Sequence, residues 1–257
     1  MNFTRTVLAF LFVSLAWIFS FSTTLGDLAK TMKVGEWKEL ATSNLIPTVN
    51  SVGNCATGSI FPYSDQGVWD PISEKFFFIG GDHAYDNSCR ERFIAYSAGT
   101  NTWQDMGISS TPFASNVGHN YNLTAMVPQG GAFYRMHFCC APTLWKYTIS
   151  TNTWTQRAAL SQVYEIYGGL QPTSKAGELV AVYGGRGAFL YKESTNQWSP
   201  IASGLTMGAY QNFAVYNPVR KVVLFGGGSG SSDMFKLDSA GKTTKLANAP
   251  FELNVNG

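Results

Sequence analysis

Three stretches of the chain align without a gap: Tyr96-Ser-Ala-Gly-Thr-Asn-Thr-Trp103, Tyr147-Thr-Ile-Ser-Thr-Asn-Thr-Trp154 and Tyr191-Lys-Glu-Ser-Thr-Asn-Gln-Trp198. Each reads Tyr, four residues, Asn, a Thr or Gln, then Trp. A degenerate fourth copy, Leu237-Asp-Ser-Ala-Gly-Lys-Thr-Thr244, lacks the Trp. The copies recur at intervals of 44 to 51 residues. That period marks solenoids, propellers or arrays. Asn and Gly tolerate the positive φ that turns demand, so each copy reads as a hairpin turn between a strand ending at Tyr and a strand opening at Trp.

Working outward, an apolar run precedes each of three copies and ends in a Gly pair. These runs are Phe76-Phe-Phe-Ile-Gly80-Gly81, Leu179-Val-Ala-Val-Tyr-Gly184-Gly185 and Val222-Val-Leu-Phe-Gly226-Gly227. They are too short for helices and rich in Val and Phe, so they read as buried strands. Further upstream, Gly67-Val-Trp-Asp-Pro71 and Phe213-Ala-Val-Tyr-Asn-Pro218 each give a strand closed by an Asx-Pro turn. Each repeat therefore carries four antiparallel strands.

Composition agrees. The 257 residues are 45% hydrophobic, 14% aromatic and only 13% charged, with 26 Gly. A disordered chain needs the opposite balance, and the residues of long coiled coils do not dominate. Eighteen basic against 16 acidic residues give a net charge of +2, no general reason to bind nucleic acid.

The Gly pair, the downstream aromatic and the Trp beyond a turn resemble the Kelch family of β-propellers. The resemblance covers about residues 35–250 and implies an all-β fold of four four-stranded antiparallel blades. Their expected bounds are about 45–107, 108–158, 159–202 and 203–249. Blade 2 departs from the pattern, with Cys139-Cys140 where the Gly pair belongs. Kelch rings usually have six or seven blades, so these four are expected to be part of a larger ring; the alternative is a closed four-bladed ring. Trp37 in Gly35-Glu-Trp-Lys-Glu-Leu40 matches a strand that ends a blade, with no earlier strands before it. Pro250-Phe-Glu-Leu-Asn-Val-Asn256-Gly257 repeats the linkers Pro47–Gly53 and Pro112–Gly118. Residues 250–257 thus read as the start of a missing fifth blade.

At the N-terminus, Arg5 is followed by an apolar stretch from Val7 to Phe21 and then by small residues. A basic start with a 7–15-residue apolar core is the secretory pattern. Residues 1–26 are expected to be a signal peptide; an uncleaved anchor is the alternative. No later run is long enough to span a bilayer, so the expected location is extracellular, cell-surface or periplasmic.

Exported cysteines suggest disulfides. Links between blades and links from second to third strand emerge on one rim of a propeller, which puts Cys55 and Cys89 on a shared face as a candidate bridge. Cys139 and Cys140 read equally as an adjacent-cysteine ring or as two buried thiols. The same rim gathers Asp82, His83, His119, Tyr121 and Arg186, the candidate binding residues. Tyr85, Asn87, Asn120, Tyr210 and Asn212 add aromatic and amide groups suited to sugar. His137, inside an apolar strand beside Arg135, reads as structural.

The expected function is non-catalytic binding of a glycan or protein through this loop rim, with no cofactor, metal or nucleic acid. The alternative is a fragment of a copper radical oxidase resembling galactose oxidase. That class needs two Tyr, two His and a Cys–Tyr cross-link, and only His83 and His119 are well placed. No phosphate loop, dinucleotide fingerprint, serine elbow or zinc-protease motif occurs.

Overall fold

The structure, a computed structural model, describes residues 23–45, 64, 66–80, 92–107, 121–127, 129–136, 142–161 and 168–253. Sixteen strands of the described residues form four separate antiparallel sheets, each a meander in chain order. Blade 1 holds β1 (Gly67–Asp70), β2 (Lys75–Gly80), β3 (Arg92–Ser97) and β4 (Thr102–Asp105). Blade 2 holds β5 (Thr124–Met126), β6 (Ala132–Met136), β7 (Thr143–Thr148) and β8 (Thr153–Ala159). Blade 3 holds β9 (Gly169–Pro172), β10 (Glu178–Tyr183), β11 (Gly187–Lys192) and β12 (Gln197–Ala202). Blade 4 holds β13 (Asn212–Asn217), β14 (Val222–Gly227), β15 (Met234–Leu237) and β16 (Thr243–Lys245). The expected all-β propeller of four-stranded blades is what the chain forms. A short helix, α1 (Thr24–Lys30), precedes it and buries no residue.

The repeated Tyr, Asn and Trp explain why the blades look alike. Asn101, Asn152 and Asn196 take φ of 54°, 51° and 52°, the left-handed conformation that Asn tolerates better than other side chains. In each turn the Tyr hydroxyl donates to the Asn Oδ1: Tyr96 to Asn101 at 2.9 Å, Tyr147 to Asn152 at 2.6 Å and Tyr191 to Asn196 at 2.9 Å. The Tyr ring lies 4.9–5.5 Å from the Trp opposite it, the closest being Tyr147 on Trp154. Blade 4 has Leu237 and Lys242 at the Tyr and Asn positions. There Asp238 closes the turn by accepting the N–H groups of Ala240 and Lys242.

The blades pack face to face. In β10 the alternation of side chains sends Leu179, Ala181 and Tyr183 into a core shared with blade 2, and Val180 and Val182 into one shared with blade 4. A strand buried on both faces needs apolar residues at every position, which is why this run shows no polar alternation. Blades 1 and 2 meet through Phe77, Phe93, Phe133, Tyr147 and Trp154, with ring centroids 4.9–6.0 Å apart. The Trp also reaches the preceding unit: Trp198 Nε1 donates to the Ala158 carbonyl of blade 2 at 3.0 Å. The Gly pair has a packing cause. A Cβ on Gly184 would stand 1.6 Å from the Gly208 carbonyl oxygen, in the link to blade 4.

Trp37 differs from expectation. It lies in no strand and is 95% exposed, because no sheet among the described residues stands beside it. The segment that follows nonetheless takes the outer-strand position. Asn101 Nδ2 donates to the Ala41 carbonyl and Trp103 Nε1 to Thr42 Oγ1, as Asn196 and Trp198 bond to Ala158. Ala41 and Ala158 each lie four residues past a Trp. Residues 1–22, most of the expected signal peptide, fall outside the described residues.

Asn196→Ala is expected to destabilise the fold by about 3 kcal/mol, roughly a third from the left-handed backbone and the rest from the lost bonds to Tyr191 and Ala158. Asn196→Gly should recover only the backbone third. Urea midpoints of the two variants against wild type check both numbers.

Candidate functional site

The innermost strands β1, β5, β9 and β13 stand side by side in succession, and side-chain amides tie them. Gln66 Oε1 accepts the Thr124 N–H at 3.2 Å. The Leu170 N–H donates to the Asn122 carbonyl at 2.7 Å. Gln171 Oε1 accepts the Tyr216 N–H at 3.2 Å while its Nε2 donates to Asn122 Oδ1 at 3.3 Å. An inner strand has a backbone edge with no ladder partner, and these amides satisfy part of it.

The four strands line one cavity of about 410 Å³. Trp69, Met126, Pro172 and Tyr216 are repeat-equivalent, each paired with the residue of the second strand that itself pairs with Tyr96, Tyr147, Tyr191 or Leu237. All four line the cavity. Pro71 and Pro218, which follow the inner strands, lie at its edge. Two aromatic faces, a thioether and three prolines thus surround two glutamine amides. Trp69 is 40% exposed. The neighbouring carboxylate, Asp70, is fully buried. Burial pushes its pKa up, but hydrogen bonds from Ser73, Gly131 and Ile72 outweigh this and hold it below the usual value. It stays ionised to bind the Gly131 N–H of blade 2 at 2.7 Å, so its role is to join blades.

Of the sequence-derived rim, Arg186 stands in the β10–β11 turn, at the end of blade 3 away from Pro172. Asp82, His83 and His119 fall outside the described residues, as do all four cysteines, including the Cys55–Cys89 candidate pair. His137, Tyr85, Asn87 and Asn120 do so too. Arg186 is exposed in the β10–β11 turn, whereas Tyr121 is 4% exposed. Neither lines the cavity. Tyr210 is half exposed. Asn212, expected among exposed sugar-binding groups, is 1% exposed instead. Its Oδ1 accepts the Gly184 N–H at 2.7 Å and its Nδ2 donates to the Gly208 and Gly227 carbonyls, so its amide is spent within the scaffold. Trp69 and Tyr216, which line the cavity, did not figure among the sequence-derived candidates. Both stand directly before an Asx-Pro pair, a signal present in the sequence.

A second charged group lies between blades 2 and 3. Glu193 Oε1 accepts from Lys146 Nζ at 2.6 Å and Arg157 Nη2 at 3.2 Å, and the buried Tyr134 hydroxyl lies beside it without meeting hydrogen-bond geometry. Burial favours the neutral acid, but Lys146, Tyr134 and Arg157 outweigh it and hold the carboxyl below its ordinary 4.5. Between blades 3 and 4 the equivalent residues are Leu190, Ile201 and Ser239, which leave a cavity of about 280 Å³.

No protein-family model matches the chain, and no curated protein matches it. Solved structures do. A GH74 enzyme of Niastella koreensis superposes with a TM-score of 0.56 at 15% identity, over 81% of this chain and 33% of that one. The structure titled U3-55K gives 0.52 at 11% identity, over 74% and 54%. The structure titled YjhT gives 0.52 at 13%, over 72% and 70%. The chain thus spans a third to about half of the first two. At these identities the likeness is one of fold, and it defines the class: a β-propeller. No helix among the described residues is long and apolar enough to cross a membrane.

Glu193→Gln is expected to cost about 1–2 kcal/mol at neutral pH, since a charged hydrogen bond becomes a neutral one. The folded pKa lies below the unfolded one, so the stabilisation is full above the unfolded value and is lost as pH falls through the folded value. The difference in urea midpoint between wild type and variant should therefore shrink between about pH 7 and about pH 3.

Proposed function

We propose that this chain is the ligand-binding part of an exported, Kelch-type propeller, and that it takes a glycan in the channel between its inner strands. The observation that carries this reading is the cavity of about 410 Å³ floored by Trp69 and Tyr216 at equivalent positions of blades 1 and 4. Its volume falls within the range of small-ligand sites. Aromatic faces stack on the C–H face of a sugar ring, and Gln66, on the cavity lining, carries an amide NH2 suited to a hydroxyl, whereas the Gln171 amide is engaged with Tyr216 and Asn122. The Gly pairs and the Tyr–Asn–Trp turn support the Kelch assignment. The apolar segment after Arg5 supports export. Loops and channel mouths carry function while the blades hold them rigid.

The first test is a glycan array probed with the secreted protein, followed by calorimetry on the best hit. Trp69→Ala should weaken binding at least about tenfold, the loss of roughly 1.4 kcal/mol of stacking. Because Trp69 is partly exposed, the variant should keep its thermal transition. No glycan bound, or equal affinity in wild type and Trp69→Ala, would overturn the channel reading.

A further inference from the structure

The junction between blades 2 and 3 and that between blades 3 and 4 share one plan and are filled differently. Strand register makes Leu190 the equivalent of Lys146, Ile201 that of Arg157 and Ser239 that of Glu193. Where blades 2 and 3 close the space with an ion cluster, blades 3 and 4 leave the cavity of about 280 Å³. Leu190 and Ile201 of blade 3 and the buried Leu237 of blade 4 give it an apolar wall. The space has room for several waters, but apolar side chains offer them no hydrogen bonds. A ligand group that displaces such waters gains affinity.

The charged side of the cavity belongs to blade 3. Alternation along β10 puts Glu178 on the same face as Val180 and Val182, the face that meets blade 4. Lys192 is its direct partner across β10 and β11, and both line the cavity. Directly opposed side chains start about 4.5–5.5 Å apart, within reach of an ion pair. Among the described residues no ion pair joins these two: Glu178 accepts from Thr173 Oγ1 at 3.4 Å, and the Lys192 side chain is exposed. The matching pairs are Lys75 with Ser97 in blade 1 and Ala132 with Thr148 in blade 2. Blade 3 differs from both in holding opposite charges there. Lys175, exposed, also lines the cavity, and so does Asp238, whose Oδ1 is engaged with the N–H groups of Ala240 and Lys242.

These features select a ligand. A neutral molecule would cover Glu178 and Lys192 and pair neither charge. An anion or a cation would pair one and crowd the other. A small zwitterion pairs both at once, with charge-assisted hydrogen bonds at each end. Volume sets the size, since about 280 Å³ lies just under the ~300–1,000 Å³ of drug-sized sites. The apolar wall takes a hydrocarbon side chain.

We propose that this crevice is a second ligand site, sharing no lining residue with the channel, and that it takes a free apolar α-amino acid of about the size of leucine. Its ammonium pairs with Glu178, its carboxylate with Lys192, and its side chain lies on Leu190 and Ile201.

Calorimetric titration of the full chain with L-leucine to about 10 mM tests this, a range suited to so small a ligand. Wild type should bind leucine saturably at one site. Glycine, which lacks the side chain, should bind at least about tenfold more weakly. N-acetyl-leucine and leucinamide, each lacking one of the two charges, should also bind at least about tenfold more weakly. Glu178→Gln and Lys192→Met should each weaken leucine binding to a similar degree. Neither substitution removes an ion pair of the fold, and unchanged circular dichroism would show that the variants fold. The analogues probe the same contacts on the wild-type protein. No saturable leucine binding, an analogue that binds as tightly as leucine, or an unchanged leucine affinity in either variant would overturn the proposal.

Discussion

The structure depends on a clasp of three side chains. A Tyr hydroxyl holds the Oδ1 of an Asn whose backbone is left-handed, and the Tyr ring lies against the Trp that opens the outer strand. The turn is thereby fixed at its backbone and at its side chains together. The same Asn and Trp reach the preceding unit, at Ala158 for blade 3 and at Ala41 and Thr42 for blade 1. Local hairpin geometry and docking between blades are thus one interaction. A residue that does both is costly to vary, and this accounts for a repeat reduced to three residue types amid otherwise unlike blades.

Because the clasp is local, it was legible. Tyr, Asn and Trp at fixed spacing reveal the period, and short apolar runs bounded by Gly reveal strands buried on both faces. The cavity was not legible in the same way. Its lining comes from strands about 50 residues apart, and only the common register shows that Trp69, Met126, Pro172 and Tyr216 share one level. Side chains near the loops were harder still. Asn212 looks in sequence like an exposed turn residue, yet the close approach of Gly184, Gly208 and Gly227 leaves backbone groups that only an amide can satisfy together. The burial of Tyr121 carries no sequence cue, since a buried and an exposed Tyr read alike. Trp37 shows the opposite failure. Its motif is right, but a strand needs neighbours, and a motif cannot supply them.

The interfaces repeat in geometry and not in chemistry. Blades 1 and 2 join through stacked rings, and blades 2 and 3 add Lys146, Arg157 and Glu193. Blades 3 and 4 replace these with Leu190, Ile201 and Ser239 around a void. An ion pair at a blade junction discriminates register, because a shift by one blade would leave its charges unpaired. Hydrophobic junctions discriminate poorly. Lys146, Arg157 and Glu193 thus give blades 2 and 3 a junction that is specific in its charges as well as in its shape.

Blade 4 carries Leu237 and Thr244 where the others carry Tyr and Trp, and its outer strand is three residues long. Its turn rests on Asp238, while its hold on blade 3 combines the apolar core around Val180, Val182 and Val223 with the amides of Gln171 and Asn212. The four sheets are thus unequal links in a series, and this sheet has the lowest local barrier to opening. Without that clasp, the amide protons of β16 are expected to exchange before those of the outer strands of blades 1 to 3.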